Sequence, residues 1–158
     1  MTDFETVLNE KGVLVYTNKG VSMMPLLRQD KDIMVIKKQV SGYRKDDVVL
    51  YKRLNGQYVL HRITEVLGDG NYIIIGDNCP NNTAEKIPDS QILGILTEIK
   101  RDGKILSMND KKYLSYVKTV PLRRKLVPTK RFVRRGLSFA KRGVKKVLGI
   151  SEKTNPSG

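Results

Sequence analysis

The 158-residue sequence has one cysteine, one histidine and no tryptophan. Cys79 has no partner for an internal disulfide, which excludes a stapled secreted scaffold. One His and one Cys cannot supply the three or four ligands of an ordinary zinc site, so neither metal nor other cofactor is expected. Glycine-rich phosphate loops are absent as well. Met1 to Lys11 carries three acids and no apolar run, unlike a secretory leader, and nowhere do the roughly 18 consecutive apolar residues of a spanning helix occur. The expected location is cytoplasmic.

Acidic residues are scarce in one place only. Residues 1 to 110 hold 15 basic and 15 acidic side chains, whereas residues 111 to 158 hold 15 basic ones and a single acid, Glu152. The entire formal charge of +14 therefore lies in the last third. A neutral body with a basic extension reads as a working module with an electrostatic anchor. With 39% hydrophobic residues the chain can bury one modest core. The expected division is a folded body over 1–110, a basic linker over 111–128 punctuated by Pro121 and Pro128, a basic amphipathic helix over 129–150, and a disordered tail over 151–158.

What is present in the body is mostly β-type. Phe4, Val7 and Leu8 are spaced for one face of a short helix, and Gly12 is a plausible stop. Beyond it, Ile33 to Lys37, Val48 to Arg53, Tyr58 to Val66, Tyr72 to Ile75 and Ile92 to Ile99 are rich in Val, Ile, Leu and Tyr. The pairs Asn55-Gly56, Asp69-Gly70 and Asp102-Gly103 supply the positive φ angles of tight hairpins, which predicts a mainly antiparallel sheet. Cys79 to Pro88 lacks alternation and reads as a surface loop. In the extension, Val133, Leu137, Ala140, Val144 and Val147 recur at helical spacing among Lys and Arg.

Three elements bear on chemistry. Ser22 lies in Gly20-Val21-Ser22-Met23-Met24-Pro25, where flanking Gly and Pro can hold a serine on a sharp exposed turn, as a nucleophile requires; the plainer alternative is a loop serine beside core methionines. His61 lies in Val59-Leu60-His61-Arg62-Ile63, and strand alternation puts it on the apolar face of Val59 and Ile63, where desolvation keeps the imidazole neutral and able to accept a proton. A core histidine satisfied by a carbonyl is the competing reading. Asp77, in Gly76-Asp77-Asn78 after a buried strand, can accept from an imidazole N–H and fix its tautomer, or can simply close a turn.

The order Gly-x-Ser-Met-x-Pro, Lys45-Asp46-Asp47-Val48-Val49, Val59-Leu60-His61-Arg62-Ile63, Gly76-Asp77-Asn78, Ile92-Leu93-Gly94 resembles the signal peptidase I family and its LexA-like relatives over roughly residues 12 to 100. The match is to the archaeal and endoplasmic-reticulum branch, which uses His where bacterial enzymes use Lys. The resemblance implies a domain of coiled antiparallel β-sheets with Ser22 as nucleophile, His61 as general base and Asp77 as the orienting carboxylate. Gly20, Met23 and Pro25 become the oxyanion and substrate-contact positions. Gly20 stands where many relatives carry a second serine, Thr83 where the His branch often has a further Asp, and Asp46 where the family usually has Gly.

The expected function is a serine endopeptidase that cuts a leader or signal-type peptide. Its basic extension, through Arg131, Arg134, Arg135, Lys141, Arg142 and Lys145, would contact an anionic membrane surface in preference to nucleic acid, because stacking aromatics and DNA-binding spacings are lacking. The alternative from another class is a catalytically weak or inactive module that binds peptides and delivers them to a membrane-bound partner. A self-cleaving regulator is a weaker third, since the 21 residues before Ser22 are too few for the DNA-binding N-terminus it would need.

Overall fold

The computed structural model describes residues 3–127; the expected helix over 129–150, its six named cations and the tail over 151–158 lie outside the described residues. Helix α1 (Phe4–Lys11) is capped by Asp3, whose side chain accepts from the Thr6 N–H, and ends where Gly12 takes φ +68 and donates back to the Leu8 carbonyl. Eight strands follow: β1 (Val13–Thr17), β2 (Ile33–Lys38), β3 (Val48–Lys52), β4 (Tyr58–Val66), β5 (Asn71–Ile75), β6 (Glu85–Pro88), β7 (Ile92–Arg101) and β8 (Lys104–Ser107). Helix α2 (Lys111–Lys125) comes last.

All pairings are antiparallel, in the order β1-β2-β7-β3-β4-β5-β6, with β8 beside the end of β7. The three Asn-Gly and Asp-Gly pairs sit in the three tight hairpin turns, β3–β4, β4–β5 and β7–β8. At the last of these both residues have positive φ, 49° for Asp102 and 76° for Gly103. Successive residues of β3 serve two apolar clusters: Val48 and Leu50 join Leu8, Met23, Leu27, Ile36 and Leu96, while Val49 and Tyr51 join Ile63, Tyr72, Ile74 and Ile87. This is the period-2 alternation of a strand buried on both faces.

Two expectations are corrected. Cys79 to Pro88 is not loop throughout, because Glu85–Pro88 adds β6 to the sheet by pairing with Asn71 to Ile74. Residues 111–128 are not an extended linker, because 15 of them form α2 despite an internal proline at 121. Pro121 removes one backbone donor. The helix persists because Tyr113 and Val120 are buried along one face, and tertiary packing of such a face outweighs propensity. Two further strands, β1 (Val13–Thr17) and β8 (Lys104–Ser107), extend the sheet beyond the expected runs. Among the described residues no helix is long and apolar enough to cross a membrane.

Candidate active site

Ser22 lies in the long connection between β1 and β2, residues 18 to 32, and that connection is held from inside. Asn18, nearly buried, donates from Nδ2 to the Gly20 carbonyl at 2.8 Å and to the Leu27 carbonyl at 3.4 Å. Asp32, with no exposed surface, accepts from the Arg28 backbone N–H at 2.8 Å and Nε at 2.9 Å, and from Arg101, whose guanidinium also reaches the Leu26 carbonyl at 2.7 Å. Met23, Leu26 and Leu27 are driven into the core. Ser22, immediately before them, is only half-buried, and the Met24–Pro25 peptide that follows is cis.

A second connection, from β5 to β6, packs against this turn. The Asn78 N–H donates to the Ser22 carbonyl at 2.7 Å and its side chain to the Val21 carbonyl at 3.1 Å. Gly76 is the point of closest approach. A Cβ there would lie 2.7 Å from the Ser22 carbonyl oxygen, 3.1 Å from His61 Nε2 and 2.5 Å from Cys79 Sγ. Only glycine admits that approach, and the consequence is that Ser22 and the imidazole meet at one Cα.

His61 sits on β4 opposite Val49 and is 6% exposed, on the face shared with Val59 and Ile63 as alternation predicts. Burial is the main cause that pulls its pKa down to about 4, against the opposing pull of Glu85. The ring is therefore neutral at neutral pH. Its Nδ1 lies 3.3 Å from the Tyr51 hydroxyl, which donates to Glu85 Oε1 at 2.8 Å. With its proton committed to Glu85, the Tyr51 oxygen accepts from Nδ1–H, which fixes the tautomer with the lone pair on Nε2. Glu85 Oε1 is itself 3.9 Å from Nδ1. Glu85 stays ionised: burial disfavours its charge, but bonds from Arg53 and Tyr51 outweigh this and lower its pKa. Among the described residues nothing hydrogen-bonds Nε2, and Ser22 Oγ has no partner.

Asp77 has a different job from the one expected of it. It accepts two parallel bonds from Arg62, Nε to Oδ1 and Nη2 to Oδ2, each 2.7 Å, and a third from the Tyr116 hydroxyl at 3.0 Å. No hydrogen bond joins its carboxylate to His61 among the described residues. Arg62 is wholly buried, and its Nη1 donates to the Asp46 carbonyl at 2.7 Å and to the Tyr113 hydroxyl at 2.8 Å. Desolvation opposes its charge, yet the bonds to Asp77 prevail and hold its pKa above the ordinary value. Asp77 thus pins the Gly76–Asn78 turn to β4. Asp46, which offers Arg62 its carbonyl, has φ +75, the left-handed conformation that glycine takes at least cost and Asp tolerates.

The remaining expected positions divide. Gly20 is half-buried beside the turn, and a Cβ on it would lie 3.9 Å from Ser22 Oγ. Met23 is 2% exposed and belongs to the core, which removes it from any substrate-facing surface; Met24 and Pro25 are the exposed pair. Thr83 closes the short 3-10 turn Asn81–Thr83 by donating to the Pro80 carbonyl at 2.7 Å. Cys79 is buried, with its thiol pushed up to about 12 by desolvation, so it remains protonated. Sequence reasoning missed Tyr51 and Arg53, and it saw Glu85 only as the acid nearest to Thr83, with no role. Tyr51 passes for an ordinary strand aromatic, and Glu85 becomes informative only once β6 is recognised.

No described residues form a cluster of three or more side chains suited to a metal ion. A surface groove of about 290 Å³ has Arg53 and Leu93 in its wall but none of Ser22, His61 and Asp77, so it lies apart from this chemistry. No protein-family model and no curated protein matches the chain.

Proposed function

We propose that this protein is a serine endopeptidase of the signal peptidase and LexA-like type, with Ser22 as nucleophile and His61 as general base. The observation that carries the reading is the closure at Gly76, which sets the Ser22 main chain and His61 Nε2 against the same Cα while Nε2 keeps a free lone pair. In the first step Ser22 Oγ attacks a peptide carbonyl and its proton passes to Nε2. The imidazolium so formed is stabilised through Nδ1–H by the Tyr51 hydroxyl and by ionised Glu85 behind it. The oxyanion is received by the Ser22 N–H, which donates to no described residue. His61 then returns the proton to the leaving amine, and water releases the acyl group by the same route in reverse.

Tyr51 and Glu85 thus take the place expected of Asp77. The mainly antiparallel sheet, with the nucleophile turn and His61 brought together across it, supports the family reading. The substrate is a leader or signal-type peptide, and the cations of residues 129–150 bring the enzyme to an anionic membrane surface. Two observations favour a second reading, a peptide-binding module of little activity: Ser22 Oγ makes no hydrogen bond among the described residues, and Gly20 supplies no second oxyanion hydroxyl, a donor whose loss typically costs about 3–4 kcal/mol of transition-state stabilisation.

Digestion of a diverse peptide mixture read by mass spectrometry separates the two. Products formed by the full chain and absent with Ser22→Ala are expected. Products that survive Ser22→Ala overturn the mechanism, and equal binding of intact peptide by both proteins without products selects the binding module.

A further inference from the structure

Helix α2 has two faces with different work. The inner face carries Tyr113, Tyr116, Val120 and Arg124 and is fastened to the Arg62–Asp77 pair through both tyrosine hydroxyls. The outer face carries Leu114, Leu122 and Leu126, which are 50%, 65% and 75% exposed. Lys111, Lys118 and Lys125 fall within the same arc at 100° per residue and are also exposed. The helix contains six basic residues and no acid. Three exposed leucines among lysines give α2 an outward face that is both apolar and cationic.

Charge narrows the choice of partner. Residues 129–150 hold eight basic residues and no acid, so that segment is repelled by α2, and a second copy of α2 is repelled in the same way. The partner is anionic. Leucine decides its class, since nucleic acid offers phosphate but no apolar layer for aliphatic side chains, whereas a bilayer interface offers both.

We infer that the outer face of α2 is a docking surface for an anionic lipid bilayer, with Leu114, Leu122 and Leu126 entering the interface and Lys111, Lys118 and Lys125 on the headgroups. The inference adds to the contact proposed for residues 129–150 and needs no peptidase activity. Because the inner face grips Asp77, a docked bilayer stands about 10 Å from the Gly76–Asn78 turn, one helix diameter away. A peptide emerging from that bilayer is thereby presented close to Ser22.

The test uses the full chain with an environment-sensitive dye on Leu122→Cys, on Leu126→Cys, and on Leu54→Cys, an exposed leucine of the β3–β4 turn that serves as control. Vesicles of phosphatidylcholine with phosphatidylglycerol should shift the emission of the dyes at 122 and 126 to the blue and leave the dye at 54 unchanged. Pure phosphatidylcholine vesicles should shift none. The variant with Leu114→Ser, Leu122→Ser and Leu126→Ser, which alters no buried side chain, should sediment with the anionic vesicles roughly tenfold more weakly at unchanged net charge. Vesicle binding without a shift at 122 and 126 overturns the α2 surface while leaving the contact by residues 129–150 standing. A shift produced by duplex DNA and not by vesicles overturns the choice of lipid.

Discussion

His61 and Arg62 are neighbours on β4 that point to opposite faces of one sheet, and the networks around them differ in a single respect. Around Arg62 the hydrogen bonding closes: four N–H bonds leave the guanidinium, Asp77 balances its charge, and neither side chain retains exposed surface. Around His61 it stays open at one end. Nδ1 is held through Tyr51 and Glu85, while Nε2 faces the Ser22 turn without a partner among the described residues. A closed charged network holds structure, and one left open at a neutral imidazole can exchange a proton.

The sharpest way to break this contrast is Asp77→Asn. It leaves the Arg62 charge buried without its counter-ion and should lower unfolding free energy by about 3–5 kcal/mol in urea titrations. Arg62→Met combined with Asp77→Leu removes both charges and should recover most of that loss. His61→Gln should do the opposite, cutting peptide hydrolysis by roughly 10² to 10⁴ while moving the urea midpoint less than Asp77→Asn does.

The pH dependence sharpens the comparison further. Folded His61 has a pKa of about 4, against an ordinary value of 6.5. Between those values the unfolded chain takes up a proton that the folded chain refuses, so stability should fall as pH drops from about 6.5 to 4, by about 3 kcal/mol. Urea titrations at stepped pH should show that slope in the wild type and lose it in His61→Gln. Hydrolysis, which needs neutral His61, should hold from pH 7 to about pH 5 and fall as pH passes through about 4. A fall centred near 6.5 would mean that the imidazole is not desolvated when it works. The smallest effect belongs to Tyr51→Phe, which keeps the ring and removes the hydroxyl. One hydrogen bond of about 1 kcal/mol predicts a rate loss of roughly fivefold. The acid limb should also move to lower pH, because the imidazolium loses a partner, and a purely structural role for Tyr51 would not move it.

Much of the scaffold was legible because its signals are local. The alternation in Val48 to Lys52 and Tyr58 to Val66, and the Asn-Gly and Asp-Gly turns between strands, are set by a few consecutive residues. The turn at Ser22 and the place of His61 on an apolar strand face were legible too, one from Gly and Pro neighbours and the other from alternation. The carboxylate behind His61 was not. Asp77 follows a buried strand as an orienting residue would, but Arg62 lies closer and its two-point bond takes both oxygens.

By itself the sequence determined a mainly antiparallel sheet, the concentration of basic charge after residue 110, and the place of His61 on an apolar strand face. These follow from composition and from spacings of two to four residues. Tertiary structure alone decided that Glu85, 24 positions beyond His61 in the chain, answers to it through Tyr51, and that the basic stretch after residue 110 folds into a helix clasping Asp77. Those outcomes depend on β6 pairing with β5 and on α2 burying Tyr113, Val120 and Arg124. Contacts between distant segments are selected by register and packing, which no short window of residues specifies.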